Sequence, residues 1–206
     1  MEKNQANKNG REYEEINNIV EHLKIIPNII VNEIRKKKIG NKTDYNYRAH
    51  EIIQNNKLIG VAFKGYNLYK YFDLTIKNSN GIALWNTLIS KKILPDYCYY
   101  DINNKILYVF EMKYQDGAGS VDEKLQSFPF KVKQFEKLLN NKVPGIKVYY
   151  WYILYEDYFD VQNNPSLKDT LDYIKSSNIS YYFLVPKDKE KSFNIFKNDI
   201  FPKMNI

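Results

Sequence analysis

The strongest constraint in this chain of 206 residues is a pair of β-prone runs around one Asn-Asn dipeptide. Residues 93–101 and 105–114 are rich in Ile, Leu, Val, Tyr and Phe, side chains that fit a pleated, half-buried surface. Asn103-Asn104 lies between them, and Asn suits the left-handed dihedrals of a two-residue type I′ turn. The pattern predicts an antiparallel hairpin. With Asn103 and Asn104 as the turn, Ile102 pairs with Lys105, and counting outward sets Asp96 opposite Glu111. Alternation then puts Lys113 on the face of Glu111, and Tyr108, Phe110 and Met112 on the other face.

Two carboxylates placed opposite each other repel, and a carboxylate taken out of water needs a partner. Lys113 can neutralise one of them as a strand-end salt bridge at a solvated rim. Alternatively, two carboxylates and an ammonium at one spot can hold a divalent cation beside a phosphate and position the attacking water. Spacing alone does not choose between these readings: Asp122-Glu123-Lys124 repeats it where a helix is predicted to start, and residues two apart on a helix do not face each other.

Pro95-Asp96 followed by Glu111-Met112-Lys113 resembles the PD-(D/E)xK nuclease superfamily, in which the aspartate starts one strand and the (D/E)xK ends the next. The resemblance implies an α/β (α+β) fold with a restriction-endonuclease-like core, a central mixed sheet of four to five strands flanked by helices. It implies a single nuclease domain over residues 1–206, mainly helical over 1–60 and with its catalytic core at 90–155. Asp96 and Glu111, with the Met112 carbonyl, would bind Mg²⁺, with Mn²⁺ able to substitute. Lys113 would orient the attacking water; an ordinary lysine is protonated at neutral pH, so positioning is the role expected of it. The substrate implied is double-stranded DNA, cut at a specific sequence by a type II restriction enzyme acting as a homodimer. A structure-specific repair or recombination nuclease of the same superfamily, and a non-catalytic DNA-binding module, remain as alternatives. Gly10-Arg11-Glu12-Tyr13-Glu14 is similar to the glycine and glutamate near the N-terminus of several superfamily members, which makes Glu14 an accessory acid. An acidic stretch at a helix start also compensates the helix dipole. Gln115 resembles the glutamine that follows the lysine in some members, and a solvated polar residue reads the same way.

Beyond the hairpin, Gly117-Ala118-Gly119 breaks the strand, and Ser120 with Glu123 reads as a capping box. The helix that follows carries an apolar face of Leu125, Phe128, Val132, Phe135, Leu138 and Leu139, with Pro129 in the first turn of a second segment. Strands are expected at 146–154 and 181–185, and a helix at 167–175 after the loop at 163–166. Toward the N-terminus, 12–23 and 28–38 have helical periodicity with a break near Pro27, and 47–56 reads as a further short helix. Residues 58–64 fit a strand, and 65–74 a strand or loop.

Composition bounds the chemistry. The single Cys98 rules out an intrachain disulfide, and with only His22 and His50 beside it no closed Cys/His zinc site is available. Both histidines read as surface or helix residues, and oxygen ligands are left, which point to Mg²⁺. No apolar run reaches membrane-spanning length and no signal-peptide core precedes Gly10, so a soluble protein of the bacterial cytoplasm, without a membrane partner, is expected. The net charge is +7, and residues 1–113 hold 18 Lys/Arg against 12 Asp/Glu. That excess suits an anionic partner, although the lean toward Asn, Ile, Lys, Tyr and Phe also reflects AT-rich codons. Lys91 and Lys92, just before Pro95-Asp96, are placed for DNA, and so is Ser120 in the glycine loop. Arg35-Lys36-Lys37-Lys38 reads as a solvated helix end or a run along a phosphate backbone.

Overall fold

The computed structural model describes residues 3–36, 47–116, 121–177, 179–185 and 188–206. Its seven strands lie in one mixed sheet in the order of the chain, β1-β2-β3-β4-β5-β6-β7. By contact the chain divides into two compact units, one of Met1–Ile26, Phe110–Pro129 and Tyr150–Ile206, the other of Pro27–Val109 and Phe130–Tyr149.

The second unit opens with an antiparallel meander: β1 (Ile29–Lys36), β2 (Tyr47–Gln54), β3 (Lys57–Lys64) and β4 (Tyr97–Asp101). The expectation that 1–60 is mainly helical fails here, because the runs expected as helices at 28–38 and 47–56 hold β1 and β2 instead. This also lifts the sheet from the expected four to five strands to seven. The reason lies in the residues: Ile29, Ile30, Val31 and Ile34 satisfy either periodicity, and their branched Cβ favours the pleated alternative once β2 supplies a partner. β1 is the sheet edge, and its charged side chains blunt it. Arg35, expected in a solvated helix end, instead sits on this strand with its Nε 2.6 Å from Glu33 Oε1; Lys37 and Lys38 lie outside the described residues.

Between β2 and β3 the chain turns through Asn55 and Asn56, both left-handed (φ 51° and 61°), with Gln54 paired to Lys57. That is the two-residue type I′ turn, and it forms here rather than at Asn103-Asn104. β4 and β5 (Ile106–Lys113) flank a four-residue turn whose left-handed position is Lys105 (φ 54°). Asp101 sets the difference: its Oδ1 accepts from Asn104 N at 3.0 Å and its Oδ2 from Asn104 Nδ2 at 2.8 Å, an acidic cap that favours right-handed dihedrals after it. Strand β4 begins only at Tyr97, so residues 93–96, expected in the strand, lead into it. Residues 65–74, expected as strand or loop, contain α3 (Asn67–Tyr71), followed by α4 (Leu84–Leu88). The core of this unit includes Ala49, Ile52, Phe63, Leu68, Tyr69, Tyr99, Leu107, Phe135 and Leu138.

The first unit begins with α1 (Lys3–Ile16) and α2 (Ile19–Leu23), separated where Asn18 caps α2 by accepting from Val20 N at 3.0 Å. His22, expected on the surface or in a helix, is in α2 but buried, its ring stacked on Phe196 at 4.2 Å. After α5 (Val121–Leu125) comes α6 (Phe128–Leu139), which belongs to the second unit from Phe130 on and carries Pro129 in its first turn, where the missing N–H costs nothing. β6 (Lys147–Tyr155) and β7 (Ser180–Leu184) are parallel, joined through α7 (Glu156–Phe159) and α8 (Lys168–Ser176), the crossover that a parallel pair requires. α9 (Lys189–Ile195) and two further helical turns at Phe196–Ile200 and Phe201–Met204 end the chain, burying Phe196, Ile200, Phe201 and Met204. Among the described residues, no helix is long and apolar enough to cross a membrane.

Candidate active site

Strand β5 is buried on both faces from Leu107 to Met112, so any polar side chain there must be satisfied within the protein. Glu111 is that side chain, 8% exposed. Its Oε1 lies 2.6 Å from Lys113 Nζ, two residues on along the same strand face, as the alternation predicts. Its Oε2 accepts from the Tyr150 hydroxyl at 2.8 Å. Lys113 Nζ also donates to the Met112 carbonyl at 3.3 Å, and its side chain is only 17% exposed. Both carboxylate oxygens are thus matched by a donor, one of them cationic, which compensates the loss of water around a buried charge.

The two faces of β5 separate as expected. Phe110 meets Trp151 edge-on at 5.6 Å, and Tyr108 lies 5.5 Å from Tyr149, on the face opposite to Glu111 and Tyr150. Tyr152, next along the Tyr150 face, donates to the Leu125 carbonyl at 2.9 Å, and burial together with the charge of Glu111 pushes its phenol well up. Tyr150 is the member of the cluster that the sequence reading missed. Its signal was the same alternation applied to β6: a tyrosine on a fully buried strand face needs an acceptor for its hydroxyl.

Asp96 is half-buried at the bend that leads into β4, after the buried Pro95, whose carbonyl accepts from Gly65 N at 3.1 Å. Gln115, expected on the face of Lys113, stands two residues past the end of β5 and is half-buried there, so strand alternation does not orient it. Glu14 is half-buried on α1, beside Tyr13. Tyr13 is buried against Tyr114 and Tyr155, at ring separations of 5.8 and 6.2 Å, so α1 packs at the end of β5. A cavity of about 560 Å³ opens there, lined by residues that include Asn9, Glu12, Tyr13, Tyr114, Tyr155 and Asp157. Lys91 and Lys92 are exposed, and Lys92 Nζ lies over the rings of Tyr66 and Trp85 at 4.4 and 4.7 Å. Ser120 lies outside the described residues.

Among the described residues, no group of three or more His, Cys, Asp or Glu side chains is gathered to hold a metal ion. Mg²⁺ does not require one: it is usually bound through one or two carboxylates, waters and substrate phosphates. The Glu111 carboxylate and the Met112 carbonyl are both hard oxygen donors, and Lys113 Nζ contacts both. Oxygen donors of this kind are the type Mg²⁺ takes, and here they lie beside the Lys113 ammonium. Compared with known proteins, the chain matches no family model, and no curated protein matches it.

Proposed function

We propose that the chain is a Mg²⁺-dependent endonuclease of the PD-(D/E)xK type, hydrolysing double-stranded DNA at a defined sequence as a cytoplasmic homodimer. The observation that carries this reading is the buried Glu111 carboxylate with the Lys113 ammonium 2.6 Å away on the same strand face. Glu111, the Met112 carbonyl and, by its order in the sequence, Asp96 would hold the ion. Bound Mg²⁺ supplies Lewis-acid stabilisation of the charge that develops on the phosphoryl oxygens. Lys113 donates to the attacking water or to a phosphoryl oxygen, and Glu111 keeps that ammonium aimed. Tyr150 fixes the carboxylate from its other side, which limits the rotation that would spoil the alignment.

A second reading has its own support. Both Glu111 oxygens are already engaged, the arrangement expected of a structural ion pair in a non-catalytic DNA-binding module. Incubation of the purified protein with plasmid DNA in Mg²⁺ or Mn²⁺, followed by end mapping, separates the two. Discrete fragments with 5′-phosphate and 3′-hydroxyl ends, lost in Glu111→Gln, support the endonuclease. Cleavage confined to flaps or junctions replaces it with a repair nuclease, and no cleavage in either metal sinks it.

A further inference from the structure

We propose that the surface around Tyr66, Trp85 and Lys92, within the basic stretch 57–95, is the nucleic-acid docking face, with Lys92 as a phosphate ligand held ready between two aromatic rings; the identity of the polyanion rests on the endonuclease reading above. This stretch holds six lysines and one aspartate, which is +5 of the chain's net charge of +7. The lysines are about as dense here as along the whole chain; the excess comes from the near absence of acidic residues.

The geometry gives the charge a form. Lys92 Nζ sits 4.4 Å from the Tyr66 ring centroid and 4.7 Å from that of Trp85, while the residue stays exposed. Lys70 approaches Tyr66 at 5.7 Å, and Lys64 approaches Tyr97 at 5.0 Å. The rings are fixed in turn. Tyr69 stacks on Tyr66 at 5.5 Å, meets Trp85 edge-on at 6.4 Å, and its hydroxyl both donates to the Ile93 carbonyl at 2.8 Å and accepts from Ile93 N at 3.1 Å. The backbone next to Lys92 is therefore tied through Tyr69 to α3, whose N-cap is Tyr66. A lysine on a free surface surrenders its rotamers when it grips a phosphate, whereas one already steered by two rings surrenders fewer. The same run passes directly to Pro95 and Asp96, so the face is continuous along the chain with the proposed metal ligand.

Fluorescence anisotropy of the full-length protein with a short labelled duplex, in EDTA so that no cutting occurs, tests this across a salt series. Lys92→Gln should lower the slope of log affinity against log salt by about 0.9, and so weaken binding about eightfold at 0.1 M salt. Lys92→Arg should restore the slope. Trp85→Leu should weaken binding with the slope unchanged, because it removes the steering and keeps the charge. An unchanged slope in Lys92→Gln, or the same loss from Lys168→Gln on α8, overturns the proposal. The two readings fail separately: binding through Lys92 without any cleavage leaves the docking face and removes the nuclease, while normal cleavage by Lys92→Gln with wild-type salt dependence does the reverse.

Discussion

Tyr150→Phe is the sharpest probe of the cluster on β5, since it deletes one oxygen and leaves the ring. Tyr150 is 1% exposed and Glu111 is 8% exposed, so the carboxylate that loses its donor is not resolvated. A hydrogen bond to a charged group contributes roughly 1.5–3 kcal/mol, and the variant should lose that much stability. At about 2–4 °C per kcal/mol for a domain of this size, the melting temperature should fall by roughly 3–12 °C.

The assay is a double-mutant cycle by urea denaturation, with Glu111→Gln as the second substitution. In the Gln background the same hydroxyl meets a neutral amide oxygen, so its removal should cost only about 0.5–1.5 kcal/mol. The coupling between the two positions should therefore be on the order of 1 kcal/mol. Equal losses in both backgrounds, within about 0.3 kcal/mol, would refute the claim that Tyr150 serves the Glu111 charge. The m-value should not change, since neither substitution alters how much surface unfolding exposes.

Two further predictions concern the units separately. A Cβ at Gly60 on β3 would fall inside contact distance of the Tyr99 ring, which is fully buried on β4, so Gly60→Ala should destabilise by about 1–3 kcal/mol; a neutral outcome in thermal unfolding would show that Tyr99 can swing away. Burial holds the His22 imidazole at about 4, and its Nε2 has no hydrogen-bond partner among the described residues. The unfolded chain therefore binds the extra proton first. Stability is fully present above the ordinary pKa of 6.5 and falls as pH drops toward 4, by about 2 kcal/mol at pH 5. His22→Phe, which keeps the stacking on Phe196, should lose that difference between pH 7 and pH 5; an unchanged pH slope in urea midpoints would remove His22 as its source.

Much of the C-terminal architecture was legible because each element carries one dominant signal. Pro129 fits the first turn of a helix and no later one, and the run at β6 is too rich in aromatic and branched residues to be anything but a strand. The N-terminal half misleads for the opposite reason. Short apolar runs such as Ile29, Ile30, Val31 and Ile34 obey both periods, and only the pairing with residues some twenty positions away decides. The two Asn-Asn dipeptides make the point most directly. Asn55-Asn56 turns left-handed, whereas Asn103-Asn104 does not, because Asp101 stands one turn before it and caps Asn104. Local sequence held that answer too, in the aspartate that opens the turn.

For the site, alternation was sufficient to put Lys113 beside Glu111, and insufficient to find Tyr150, which lies 39 residues from Glu111 on another strand. The burial of β5 also means that a carboxylate here demands its ammonium and its phenol whether or not any reaction occurs, so the E-x-K spacing alone has little weight as evidence of catalysis. Replacing all of the polar groups together is what tells the two roles apart. The triple variant Glu111→Met, Lys113→Met, Tyr150→Phe removes both charges and the phenol together, and such exchanges are typically neutral or stabilising by about 1–4 kcal/mol. Each single removal of Glu111 or Lys113 should instead cost about 3–5 kcal/mol, since it takes from the other charge the counter-ion at 2.6 Å. A structural cluster predicts a triple variant that folds at least as well as the parent and still binds DNA with unchanged affinity. An active site predicts the same fold with cleavage abolished, and residual cutting by the stable triple variant would remove Glu111 and Lys113 from the chemistry altogether.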